Sequence, residues 1–418
     1  MKRDRGLALV ILCVLLLSVS GCWSRRETQQ MNLSTALGFD RVMINDKEQW
    51  HLSVLSSKPQ GGGGTSGGSS SVISEPKKGL TVQVTTVSGE TLWDATRNWN
   101  LRASRRLFLG QVLLVVIGED TARAGIQQIL DYLLRHQDIR GRIWVIVCQG
   151  SASDFLNAQP EFEPTISQEI EGIIRDTWYR SGKVIGIDLF KTTYALLTPG
   201  KEIVLPYMQL FVPPEPSSPI SSNAGGTNGS NTGDTGPQGK SFTISGSAIF
   251  RGDRMVGHLN DEETQGLSFL SNNFHSGTIP LSMQSVQKNA SLRIGGSKTK
   301  VMVGFDQGTP SISVTIKAQG DFLEEDDSVF HVTTQDFKAA EMAANREIES
   351  RCRKALTKSQ TLNADILGFG DKIHRSYPQE WTGLKDHWND AYPDLQVSIK
   401  ADCKIKQTGV ISDPITIK

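Results

Sequence analysis

The sequence predicts an α+β protein of three mixed domains behind an export signal, on three observations. Two continuous apolar runs, 112–117 and 143–147, are separated by a helical pattern, as in an α/β core whose strands are covered on both faces. Between 242 and 318 short alternating runs follow one another as in an antiparallel sheet. Beyond 334, apolar residues first recur every three or four positions and then alternate from 395 to 406, which is a long helix packed with a sheet. The boundaries that follow are 1–21 for the signal, 22–182 for an N-terminal α/β-like domain, 183–322 for a middle β-rich domain and 323–418 for a C-terminal α+β domain.

The signal comes first. Lys2, Arg3 and Arg5 precede an apolar run over 7–17 that is too short to cross a bilayer core comfortably, and Gly21 stands before Cys22. Small residues before a cysteine at the end of such a run form a bacterial lipobox. The Cys22 thiol takes a diacylglyceryl group, and cleavage ahead of it leaves Cys22 as the first mature residue. Acyl chains add about 0.8 kcal/mol per buried methylene, so two or three of them make a lasting anchor. The tether then carries Arg25 and Arg26 within reach of lipid headgroups.

The whole chain has 44 basic and 44 acidic residues. Losing three basic residues and Asp4 with the signal leaves 41 against 43, which is no footprint for nucleic acid. Of five cysteines, Cys13 leaves with the signal and Cys22 takes lipid. Cys148, Cys352 and Cys403 form no CxxC pair; Cys352 and Cys403 could pair, or all three serve as small buried residues.

In the N-terminal domain, strands over 33–42 and 49–56 turn at Asn45–Asp46, and 58–71 is a Gly/Ser loop without the Gly-Lys-Ser/Thr of a phosphate loop. A strand over 80–85 leads to a helix capped by Ser88 or Thr91 and ending near Arg102. After the strand at 112–117, one helix runs from Glu119 with Ala122, Ile126, Ile129, Leu130, Leu133 and Leu134 on one face. Ser151 or Ser153 caps a short helix after the second apolar strand.

In the middle domain a helix carrying Leu189, Phe190, Tyr194 and Leu197 leads into a strand over 203–212, and 213–239 is a low-complexity loop. A strand over 242–250 turns at Gly252–Asp253. Asn260 or Asp261 then caps a helix whose first turn holds Glu262 and Glu263, acidic where the positive dipole end favours them. Four strand-like runs follow: 279–286, 290–294, 300–305 and 311–318. Residues 324–327 form an acidic turn without the spacing of a calcium loop.

The C-terminal domain opens with a strand at 329–333. Thr334 or Asp336 caps the long helix bearing Phe337, Ala340, Ala344, Ile348, Cys352, Ala355 and Leu356. Tyr377–Pro378 breaks the helical pattern, and a further helix carries Trp381, Leu384 and Trp388.

The seven histidines show no HxH or HxxxH pair, and there is no GxSxG elbow, Walker loop or zinc spacing. The expectation is a protein that is not an enzyme and needs no metal or cofactor. Arg102, Arg105 and Arg106 are the candidate docking residues. They read as a surface for a partner or anionic lipid, or as a solvated helix end whose cations suit the negative dipole end.

Several stretches together resemble one family. Gly21-Cys22-Trp23-Ser24-Arg25-Arg26-Glu27 is the first. The second is Arg102-Ala103-Ser104-Arg105-Arg106-Leu107-Phe108-Leu109-Gly110-Gln111, leading into Val115-Val116-Ile117-Gly118-Glu119. Ile366-Leu367-Gly368-Phe369-Gly370, His374-Arg375 and Tyr377-Pro378-Gln379-Glu380-Trp381 complete the set. In this order they are similar to the Ger(x)C family, the lipoprotein C subunits of nutrient germinant receptors in endospore-forming bacteria. The resemblance covers the chain from Cys22 onward except the two insertions, and departs at Ser24, where an acidic residue is common.

The resemblance implies a non-catalytic lipoprotein on the outer face of the spore inner membrane, anchored through Cys22. It implies two integral membrane partners, an A-type and a B-type subunit, in a complex that answers a small-molecule germinant. The alternative, a lipid-anchored solute-binding protein, would require two similar α/β lobes that the pattern lacks. A wall hydrolase would require paired carboxylates or a nucleophile and base that nothing nominates.

Overall fold

The computed structural model describes residues 31–58, 81–211, 241–283, 288–306, 308–325 and 334–408. The export signal, Cys22, most of the 58–71 loop, the 213–239 loop, Asp326, Asp327 and the expected strand at 329–333 lie outside them.

The chain opens with a hairpin, β1 (Met31–Ile44) and β2 (Lys47–Lys58), whose turn residues Asn45 and Asp46 both take positive φ, as a tight two-residue hairpin requires. β3 (Thr81–Gly89) pairs antiparallel with β2. Helix α1 (Leu92–Arg102) begins at Thr91, whose hydroxyl accepts from the Asp94 amide at 3.1 Å. The short β4 (Arg106–Phe108) lies parallel to the first residues of β1, and β5 (Leu114–Gly118) lies parallel to β1 further along.

A single helix was expected after β5. Two form: α2 (Glu119–Ala124) and α3 (Gln127–Arg135). Gly125 takes φ +128 between them, and the Ile126 amide donates to the Asp253 carbonyl at 2.9 Å, so a distant hairpin breaks the helix. Then come β6 (Trp144–Cys148), α4 (Ala152–Leu156), α5 (Ile166–Ser181), α6 (Leu189–Leu197) and β7 (Val204–Phe211). Ser151, rather than Ser153, caps α4. On α6 only Leu189 of the four expected apolar residues is buried; Phe190, Tyr194 and Leu197 face outward.

β8 (Ser241–Arg251) and β9 (Arg254–Leu259) complete the first sheet, a nine-stranded one in the order β3-β2-β1-β5-β6-β7-β8-β9, with β4 beside β1. Its central strands β1, β5, β6 and β7 are parallel and its flanks antiparallel. Alternate residues explain the continuous apolar runs. Val115, Ile117, Val145 and Val147 pack with α1, α3 and α6, while Leu114, Val116, Ile146 and Cys148 pack with α4 and α5.

Helix α7 (Asp261–Leu270) follows, closed by a capping box in which Asn260 and Glu263 bond reciprocally at 2.9 Å. The second sheet has four strands in the order β10 (Gly277–Met283), β11 (Lys288–Asp306), β12 (Thr309–Glu325) and β13 (Gln396–Thr408). Three strands stand where four runs were expected, because 290–294 and 300–305 belong to one strand that passes a register shift at Gly296.

The strands of 183–322 therefore form no sheet of their own. β7, β8 and β9 extend the first sheet, and β10, β11 and β12 join β13 in the second. The two sheets differ in size and order, unlike the paired lobes of a solute-binding protein.

Helix α8 (Thr334–Thr361) buries Ala340, Ala344, Ile348, Cys352, Ala355 and Leu356 in a core shared by α7, the second sheet and Val204, Ile249 and Leu259 of the first. Beyond it lie α9 (Phe369–Ser376), α10 (Pro378–Leu384), with its proline in the first turn, and α11 (Trp388–Ala391). Cys352 and Cys403 are buried and free, as is Cys148. No described helix is long and apolar enough to cross a membrane.

Candidate functional site

Two places gather the residues that the sequence singles out. One is the region where the Arg102 to Gln111 stretch meets the start of β1. Met31 pairs with Arg106 in the parallel β1/β4 ladder, so this arginine lies beside the first described residue of the chain. Leu107 and Leu109 turn into the core, which fixes the β4 backbone and turns Arg106 outward. Arg102 is exposed and its guanidinium donates to the Thr86 carbonyl at 2.8 Å; Arg105 is half-buried. Among the described residues none of Arg97, Arg102, Arg105 and Arg106 joins an ion pair.

The same face of α1 presents Trp93, Arg97 and Leu101, four residues apart, with Trp93 49% and Leu101 82% exposed. Trp93 stacks on His136 of the α3 end at 5.8 Å between ring centres and meets Tyr132 edge-on at 5.0 Å. Burial lowers the His136 pKa, and Arg106 adds to the effect while Asp138 opposes it. His136 is thereby biased toward its neutral form, suited to stacking. The arginines are visible in the sequence as a charge cluster, whereas Trp93 and Leu101 leave only the weaker signal of two large apolar residues on the side of α1 away from buried Leu92, Ala95 and Trp99.

The second place is the junction made by Ile366-Leu367-Gly368-Phe369-Gly370. Gly368 takes φ +68, which ends the turn after α8 and starts α9. Gly370 touches Gly200 backbone to backbone: a Cβ at Gly370 would lie 2.7 Å from the Gly200 Cα and 2.8 Å from the Trp388 indole nitrogen. The Asp371 amide donates to the Gly200 carbonyl at 3.0 Å, and the Glu202 amide to the Asp365 carbonyl at 2.9 Å. The Asp365 carboxylate accepts from the amides of Phe369 (3.1 Å) and Gly370 (2.8 Å) and from the Trp388 indole (3.2 Å). Full burial pushes Asp365 up to about 6 against these donors. Burial, with Asp365 adding to it, pushes Glu202 up to about 7, while the Gly252 amide at 2.6 Å works the other way.

A cavity of about 280 Å³ opens beside this junction, lined by Trp178, Lys191, Tyr194, Glu202, Leu267 and Ile366 among others. Lys191 sits 5.3 Å above the Trp178 ring. Among the described residues no group of three or more His, Cys, Asp or Glu could hold a metal. The two places lie on different parts of the fold: the arginines serve a surface, and the glycine motif joins the two sheets.

The fold and these places define a class: an α+β protein whose two dissimilar sheets are joined through a glycine-lined junction. The family model for the spore germination protein N-terminal domain matches residues 24–210, and that for the spore germination B3/GerAC-like C-terminal region matches 245–409. The chain belongs to the Ger(x)C family of spore germination proteins.

Curated relatives include spore germination protein KC of Bacillus subtilis (strain 168), 26% identical over 413 residues, covering 97% of this chain and 96% of that protein. Spore germination protein B3 of the same organism is 19% identical over 407 residues, covering 96% and 97%. The crystal structure of the GerBC protein superposes with a TM-score of 0.53 at 17% identity, covering 90% of this chain and 99% of that one, and so shares its fold.

Proposed function

We propose that this chain is the lipid-anchored, non-catalytic C subunit of a spore germinant receptor, held at the outer face of the spore inner membrane through Cys22. The observation that carries this reading is the run of the two family matches along almost the whole chain, starting at residue 24, two positions beyond the lipobox cysteine. A mature chain that starts at Cys22 would keep every residue the family matches and shed only the signal. Its relatives are spore germination proteins, and in this reading the response it serves is germination triggered by nutrients. Its partners in this reading are an A-type and a B-type integral membrane subunit, and a small-molecule germinant is taken by the complex as a whole.

The test is affinity purification of the tagged protein from detergent-solubilised spore membranes, alongside germination of spores lacking it. Recovery of the two membrane subunits and a failed response to a nutrient are the expected results. A protein recovered alone, from spores that germinate normally without it, would overturn the assignment.

A further inference from the structure

We infer that the Trp93–Arg97–Leu101 face of α1, with Arg102, Arg105 and Arg106, lies against the anionic surface of the bilayer to which the chain is tethered. This rests on the lipid-anchor reading of Cys22 and says which side of the protein the anchor draws down. Three observations carry it.

The first is reach. Nine steps of chain separate Cys22 from Met31, which span at most about 30 Å when extended. Met31 pairs with Arg106, so the arginines stand at the very place where the tether joins the fold. The second is charge. Arg97, Arg102, Arg105 and Arg106 make no ion pair among the described residues; Arg102 gives one N–H to the Thr86 carbonyl and keeps its others, so the cluster can offer guanidinium donors to headgroup phosphates. The third is the apolar content. Leu101 is almost fully exposed and Trp93 half so, on the same helix face as Arg97, and this is the composition of a helix lying in a membrane interface.

The outer face of the second sheet is also basic and supplies the contrast. Lys298, Lys300, Lys317, Lys400 and Lys404 share that side of the strand ladders, and Lys406 lies beside them at a register shift. Asp321 and Asp402 sit among them, Lys404 is bridged to Glu341 and Asp402, and Met302 is the one large exposed apolar residue of that face among the described ones. Charge alone does not separate the two faces; the tether and the Trp/Leu pair do.

The experiment uses the mature lipoprotein reconstituted into vesicles of phosphatidylcholine, with or without phosphatidylglycerol, and with brominated acyl chains as quenchers. A fluorophore is placed at Leu101→Cys in one sample and at Met302→Cys in another; Cys148, Cys352 and Cys403 are buried and stay unlabelled. Flotation with the vesicles reports the anchor independently of the face, so failure of either is told apart. The expected result is quenching at position 101, strong in anionic vesicles and weak in neutral ones, with none at 302. Each arginine near an anionic surface shifts docking about five-fold, so Arg105→Glu with Arg106→Glu should weaken it by at least ~25-fold while flotation persists. A floating protein quenched at 302, at both positions or at neither overturns the inference, as does quenching at 101 that ignores lipid charge. A protein that does not float overturns the anchor on which it rests.

Discussion

Gly370 and Gly200 are close enough that neither tolerates a side chain. Gly370→Ala would press a methyl into the Gly200 backbone and the Trp388 indole. Gly200→Ala adds strain from φ +70. Each should lower stability by roughly 2 kcal/mol, read in a denaturant titration, with Gly383→Ala, in helix α10 with nothing within 4 Å, as the reference that should hold or slightly raise it. Asp365 and Glu202 make the same junction sensitive to pH. Both folded-state pKa values lie above their ordinary ones of 3.8 and 4.5, so the folded form binds protons more readily than the unfolded one. Their contribution is therefore fully present only at low pH, below about 4, and is lost as pH rises through 6 to 7. For Asp365 the swing is on the order of 3 kcal/mol. Denaturation midpoints should accordingly fall between pH 5 and pH 8, and Asp365→Ala should flatten that slope while lowering stability throughout. A midpoint that climbs across this range would count against the junction as described.

Helix α8 shows how an element can protect another. Its Glu341, Asn345 and Glu349, one turn apart, accept from the amides of Ile405 (3.2 Å), Cys403 (2.6 Å) and Ala401 (3.0 Å), which are the outward donors of edge strand β13. Without them β13 would offer a free edge for pairing between molecules. Asn345→Ala should cost about 1–2 kcal/mol. Replacing all three by alanine should also promote association, seen as growth of light scattering with concentration; a monodisperse triple variant would show that the helix backbone alone blocks the edge.

The apolar spacing of α8 was legible in the sequence, as were a helix cap at Asn260 or Asp261 and a turn at Asn45–Asp46, because each is a local rule; that Asn260 is the cap, and that both turn residues take positive φ, came with the structure. The break at Gly125 was not, since Ala122, Ile126 and Ile129 keep helical spacing across it and the cause, Asp253, is remote in sequence. The arginines of the candidate face were legible as a charge cluster. Their closeness to Met31 was not, because it is a pairing between strands 75 residues apart.

For the whole molecule, the two matched regions do not coincide with the two sheets. The boundary between 210 and 245 falls between β7 and β8, which are antiparallel neighbours in the first sheet. The C-terminal region thus completes the N-terminal sheet, and Ile249 and Leu259 of that sheet share a core with the second. A fragment ending at 212 would expose the β7 edge and should be less stable than the intact chain, with lower soluble yield. A fragment that unfolds as cooperatively, and at the same denaturant concentration, would show that the sheet stands without β8 and β9.

Because Ile249 and Leu259 bring the first sheet into the core of the second, the proposed anchor near Met31 would hold both sheets through one point. The measurement closest to the centre of this reading is therefore Cys22→Ala in sporulating cells, followed by membrane fractionation and by nutrient-triggered germination. The expected result is loss of the protein from the membrane fraction together with a failed or slowed response. Continued attachment with normal germination would contradict both the lipid anchor and the receptor role built on it.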